Sequence, residues 1–170
     1  MNKIDIVKTP VYIKGILYGY DLDLLVDGVS PTTDSFDPIE FICASFKLQR
    51  TYIFTCSCGN PGCANIHYGI NLKQRSRTVE WRDMDSPINM KQRFYSFDKN
   101  EYKAAQAKCM GMMYEIIKEN EAIRKEALMA GDPDDYFGWN GPTFCELYSE
   151  SELLSAIKYR QEWIAKYHLL

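Results

Sequence analysis

The residues best suited to chemistry lie together in Cys56-Ser57-Cys58-Gly59-Asn60-Pro61-Gly62-Cys63, with His67 following. Thiolate and imidazole are the ligands that structural zinc takes, four at a time, with sulfur at about 2.3 Å and nitrogen at about 2.0–2.1 Å. In an extended chain residues two apart point to the same side, so Cys56 and Cys58 can address one atom. Gly59, Pro61 and Gly62 supply a tight turn that returns Cys63 toward that point. Cys56, Cys58, Cys63 and His67 would then form a closed tetrahedral set. A closed set is structural, since a catalytic zinc keeps one position open for water. The spacing departs from the usual zinc knuckle, in which two residues separate the first cysteines; here Ser57 stands alone between them. The competing reading is a plain tight turn of small residues, with glycines supplying φ > 0. Both stay open on sequence alone, and thiol redox chemistry ranks behind them.

Catalytic constellations are otherwise thin. A general base and a nucleophile must lie within reach of each other, and the chain has only two histidines, His67 and His168, the second near the C-terminus where chains fray. No nucleophile elbow, phosphate-binding loop with lysine, or paired-histidine zinc helix occurs. Asp21 and Asp23 have the spacing of a carboxylate pair, but alternation with Leu22 and Leu24 reads as the wet face of a strand. Asp132, Asp134 and Asp135 lack the later glutamate of a calcium loop. The expectation is a protein that is not an enzyme.

The elements that must position these residues run as strands first and helices second, the order of an α+β fold. Tyr20, Leu22, Leu24 and Val26 alternate with acids, and Asp27-Gly28 supplies a turn. Ile39 to Phe46 is apolar on both faces and reads as an inner strand, and Tyr52 to Thr55 as a short one leading into the cysteines. Tyr68 to Lys73 and Arg77 to Arg82 read as hairpin arms with Val79 and Trp81 inward, followed by a strand over Lys91 to Phe97. A long helix is expected after Asp98, an N-cap with Glu101 three residues on. Its apolar stripe runs through Tyr102, Ala105, Cys109, Met112, Ile116 and Ile123. A second capping box, Ser149 with Glu152, opens a last helix striped by Leu153, Ile157 and Ile164. The expected architecture is one α+β domain over residues 1–170, a mainly antiparallel sheet packed against two C-terminal helices.

Composition bounds the function. At 170 residues, 46% of them apolar, the chain can bury a core without disulfides. Asp5 and Lys8 interrupt the start where a secretory signal needs an apolar run, and no stretch is long enough to span a membrane. A cytoplasmic location is expected, where six cysteines stay largely reduced; Cys43, Cys109 and Cys145 read as small core residues. The net charge of −3 conceals a segregation: residues 1–46 hold three basic and seven acidic side chains, 47–129 hold fourteen and nine, and 130–170 hold three and seven. The acidic ends suit a basic partner. Asp21, Asp23 and Asp27 in the first strand, and Asp132, Asp134, Asp135, Tyr136 and Trp139 in a loop, are the candidate contacts, the aromatics as anchors. The middle region, Lys73 through Arg77 and on to Arg82, Lys91 and Arg93, offers basic residues near Tyr68 and Trp81, a pattern that binds single-stranded nucleic acid or guards a sheet edge by charge.

The Cys-x-Cys-Gly-x-x-Gly-Cys turn over Cys56 to Cys63, followed by a strand ending Val79-Glu80-Trp81, resembles small bacterial proteins that carry the same turn. The likeness covers roughly residues 50–82. Similar small α+β proteins serve as immunity partners of secreted toxins, those of contact-dependent growth inhibition among them. That resemblance implies a protein that blocks a cognate toxin by occlusion. The alternative is a zinc-stapled module that binds nucleic acid through Lys73 to Arg93.

Overall fold

Asp27 and Gly28 both take left-handed backbone angles, with φ of 52° and 80°, as a two-residue type I′ hairpin turn requires. Val26 and Val29 exchange both backbone hydrogen bonds across them, at 2.8 and 3.1 Å. The computed structural model describes residues 1–13, 15–44, 50–56, 66, 69–83, 90–129 and 149–168.

Strands β1 (Ile4–Ile13) and β2 (Ile16–Val26) pair antiparallel from Ile4 opposite Val26 to Ile13 opposite Ile16, with a register shift at Val11/Tyr12. Two short strands, β3 (Ser35–Phe36) and β4 (Phe54–Thr55), also pair antiparallel. Strands β5 (Ile70–Gln74), β6 (Thr78–Asp83) and β7 (Phe94–Asp98) form a meander. Backbone bridges join these sheets. The Asn2 N–H donates to the Ser96 carbonyl at 2.7 Å, tying the start of the chain to β7, and Thr51 exchanges two hydrogen bonds with Ile70 at 2.8 and 2.9 Å. The sheets are thus three, β1–β2, β3–β4 and β5–β6–β7, joined by the single bridges at Asn2 with Phe97 and Thr51 with Ile70, with β3 also in contact with β2.

Helix α2 (Lys99–Met129) packs against β1, β2, β6 and β7. Asp98 caps it, its Oδ1 accepting from the N–H groups of Asn100 at 2.8 Å and Glu101 at 3.1 Å, two of the donors a helix start leaves unpaired. Its buried stripe runs through Tyr102, Ala105, Cys109, Met113, Ile116 and Asn120. Met113, rather than Met112, fills the step between Cys109 and Ile116. Helix α3 (Glu150–His168) opens on the expected capping box: the Ser149 N–H donates to Glu152 Oε2 at 2.8 Å and the Glu152 N–H to Ser149 Oγ at 3.4 Å. Among its described side chains Leu153 and Ile157 are buried. Among the described residues no helix is long and apolar enough to cross a membrane.

Trp81, with no exposed surface, centres the core. Phe54, Tyr95, Phe97 and Tyr102 surround it with ring centroids 4.9 to 6.2 Å away, and its indole N–H donates to the Tyr102 hydroxyl at 3.2 Å. A buried indole needs such an acceptor.

One expectation is corrected. The segment read as an inner strand over Ile39 to Phe46 holds helix α1 (Pro38–Cys43). Asp37 is its N-cap, accepting from the Glu40 N–H at 3.1 Å, and Pro38 occupies the first turn, where a missing N–H costs nothing. A short apolar run buried on both sides fits a strand or a buried helix equally well, and the Asp-Pro start decides it.

Candidate functional site

The β1–β2 hairpin has two faces. Ile6 and Lys8 lie opposite Leu24 and Leu22, on the face toward α2, where Lys8 pairs with Glu119 at 2.9 Å and lies 4.4 Å from the centre of the Tyr20 ring. Strand alternation therefore sets Asp21 and Asp23 together on the other face, opposite Thr9 and Val7. The Thr9 hydroxyl donates to Asp23 Oδ2 at 2.7 Å, and the Leu22 N–H donates to Asp21 Oδ1 at 2.8 Å. Burial raises the pKa of Asp21 above the ordinary aspartate value, the Leu22 bond opposes it, and the Asp23 charge adds to the rise. Asp21 is half-buried, Asp23 exposed.

Asp27 has a different setting. Its Oδ2 accepts from Asn2 Nδ2 at 2.7 Å and its Oδ1 from the Lys3 N–H at 2.8 Å, and those bonds hold its pKa below the usual value. Both oxygens staple the start of the chain to the turn. At the opposite end of the hairpin, Tyr12 and Ile16 are exposed.

Of the four predicted zinc ligands, Cys56 follows β4, half-buried and carrying a thiol, and its carbonyl accepts from the Thr55 hydroxyl at 3.1 Å. Cys58, Cys63 and His67 lie outside the described residues, as do Asp132, Asp134, Asp135, Tyr136 and Trp139. Among the described residues no group of three or more His, Cys, Asp or Glu side chains is placed to hold a metal ion. Of the basic region, Lys73 lies on β5 and Arg82 on β6, with Arg75 and Arg77 in the turn between them; Lys91 and Arg93 are exposed ahead of β7.

Sequence reasoning missed a polar junction between α1 and α3. Arg160 Nη2 donates to Glu40 Oε2 at 3.0 Å, while Nε lies 2.5 Å from Oε1 but off the hydrogen-bond direction, so that second contact is ionic. The Arg160 guanidinium stands 4.6 Å from the centre of the Trp163 ring, and the Thr51 hydroxyl reaches Glu40 Oε2 at 3.4 Å. Beside this pair, burial pushes the Asp37 carboxyl up to about 6, against its hydrogen bond from Glu40. Burial, with the Glu40 charge, pushes the Cys43 thiol up to about 11, and that thiol points at the Ile157 carbonyl 3.8 Å away. The missed signal was Asp37-Pro38 followed by Glu40, a helix start. Arg160 falls in the gap between Ile157 and Ile164 of the apolar stripe, where a polar residue gives no signal of its own.

The fold and these surfaces define an α+β protein whose charged groups are arranged in separate places, an acidic hairpin face and a basic meander. No family model, no curated protein and no solved structure matches the chain.

Proposed function

We propose that the chain is a non-enzymatic interaction protein of the immunity type, which binds a basic bacterial toxin and occludes its active site or substrate surface. The observation that carries the reading is Asp21. Its carboxylate is drawn partly out of water beside Asp23, and no cation stands against it among the described residues. A partly desolvated carboxylate without a counter-charge is unfavourable in the isolated protein and gains most from an incoming lysine or arginine. Nuclease toxins carry such cations because they must bind phosphates. The Thr9 hydroxyl holds Asp23, and alternation sets it on the same face as Asp21. The segment from Asp132 to Trp139 is assigned to the same contact from its sequence, with Tyr136 and Trp139 as apolar anchors.

Binding kinetics with the cognate toxin test this. Asp23→Asn, at an exposed position, is expected to slow association at low ionic strength and to have little effect at high salt. Asp21→Asn, at a half-buried one, is expected to speed dissociation, with a loss of about 2 kcal/mol or more in affinity. Folded variants with unchanged rates would move the interface off this face.

A further inference from the structure

The meander β5–β6–β7 turns Leu72, Val79, Trp81, Tyr95 and Phe97 into the core. Alternation therefore places Lys73, Glu80, Arg82 and Phe94 on the opposite side, and the register sets Lys73 against Glu80 and Arg82 against Phe94. Glu80 sits at the centre, accepting from Arg82 Nη2 at 3.1 Å and facing Arg75 Nε at 3.4 Å. Its side chain keeps only 13% exposure, whereas those of Arg75 and Arg82 keep 49% and 46%. Burial pulls the Glu80 pKa up, and the hydrogen bonds from the two arginines bring it below the ordinary glutamate value. Arg77 is exposed in the adjoining turn. The acid at that end, Asp98, is turned to the N–H groups that open α2. Two guanidinium groups thus face one carboxylate, with Lys73 across the ladder from it and Arg77 exposed in the turn beside them. Among them stands Phe94, 48% exposed, with the Arg82 guanidinium 5.7 Å from its ring centre.

We infer that this face binds single-stranded nucleic acid, with phosphates on Lys73, Arg75, Arg77 and Arg82 and an unpaired base stacked on Phe94. The excess of cations complements a phosphate backbone. The exposed ring decides between strands and duplex, since only an unpaired base offers its face to an aromatic side chain. Charge guarding of a sheet accounts for the cations but not for a large apolar ring left among them. Glu80 has a definite part in this. In the unbound protein it orients two guanidinium groups, and an arriving phosphate must compete with it for both.

This inference is independent of the toxin reading, whose contacts lie on β1–β2. The test is fluorescence anisotropy of the full chain with labelled oligothymidylate and with a duplex of equal length, over a salt series. Tighter binding of the single strand is expected, with log affinity falling linearly against log salt. Lys73→Ala and Arg77→Ala should each reduce the magnitude of that slope by about 0.7, one phosphate contact. Phe94→Leu, which keeps an apolar side chain, should weaken single-strand binding by about tenfold and leave the slope unchanged, and Phe94→Tyr should restore it. Glu80→Gln should strengthen binding several-fold. Absence of binding at low salt would overturn the inference. So would equal affinity for duplex or polyglutamate, or indifference to both Phe94→Leu and Glu80→Gln in variants whose melting is native.

Discussion

Asp37 caps α1 with a carboxylate that the fold has drawn out of water beside Glu40. Because its folded pKa of about 6 lies above the unfolded value of 3.8, the folded state binds more protons between those limits. Stability from this group is therefore fully present below about pH 3.8 and lost as pH rises through about 6. Asparagine caps a helix as well as aspartate does and carries no charge. Asp37→Asn is expected to raise stability at pH 7 by about 1–3 kcal/mol, the lower figure allowing for residual solvent, and to flatten the dependence between pH 4 and 6. Urea denaturation across that range checks it; a variant less stable at pH 7 would show that the carboxylate is favourable where it stands. Tyr102→Phe is expected to lose about 1–3 kcal/mol, because the Trp81 N–H would be left buried without an acceptor. For the zinc reading of Cys56, Cys58, Cys63 and His67, elemental analysis of protein purified without chelator should find about one zinc per chain, released by Cys58→Ser. Metal-free protein with wild-type melting would leave the tight-turn reading. Single residues were the least legible scale. Asp98 and Ser149 announced themselves as caps, whereas the desolvation of Asp21 and Asp37 and the reach of Arg160 to Glu40 depend on what packs beside them, which no local pattern records.

At the scale of elements, α2 is fixed to the edge of β2 by one amide. Asn120, fully buried, accepts from the Tyr20 N–H at 2.8 Å and donates to the Tyr20 carbonyl at 3.0 Å, taking the place of a neighbouring strand. Gly19 permits the approach, since a Cβ there would stand 2.7 Å from Asn120 Oδ1. Asn120→Ala is expected to cost about 2–3 kcal/mol by orphaning both Tyr20 groups. Gly19→Ala should destabilise the wild type yet cost far less in the Asn120→Ala background. A double-mutant cycle showing simple additivity would mean that the two do not meet. The same edge explains why β1 is hidden in the sequence while β2 is legible. The alternation of Leu22, Leu24 and Val26 was plain, but Pro10 interrupts β1, and prolines are demoting signals in strands. Here Pro10 pairs with Tyr20, whose backbone groups are spent on Asn120, so no donor is required of the proline. The hairpin arms with Val79 and Trp81 inward, the Asp-Gly turn and both long helices were legible because period and caps agreed. Ile39 to Phe46 was misread because a run buried on both sides has no period to read.

For the molecule as a whole, the segregation of charge along the sequence becomes a segregation in space. The acids of the first segment present Asp21 and Asp23 on the outer hairpin face, and the basic middle presents Lys73 and Arg82 on the meander. The α+β class and the order of strands before helices followed from the sequence patterns. The linking of the three sheets did not, because it rests on single bridges, at Asn2 with Phe97 and Thr51 with Ile70, that leave no periodic trace. On the proposed reading the acidic hairpin face holds a basic toxin. The most direct measurement is co-purification of the chain with the product of the gene beside its own, followed by calorimetric titration of wild type and of the Asp21→Asn/Asp23→Asn double variant. A stable complex is expected with the wild type, and an affinity that falls at least tenfold in a double variant of native melting temperature. A double variant that binds as tightly as the wild type, or a wild type that fails to bind a basic toxin encoded there, would contradict it.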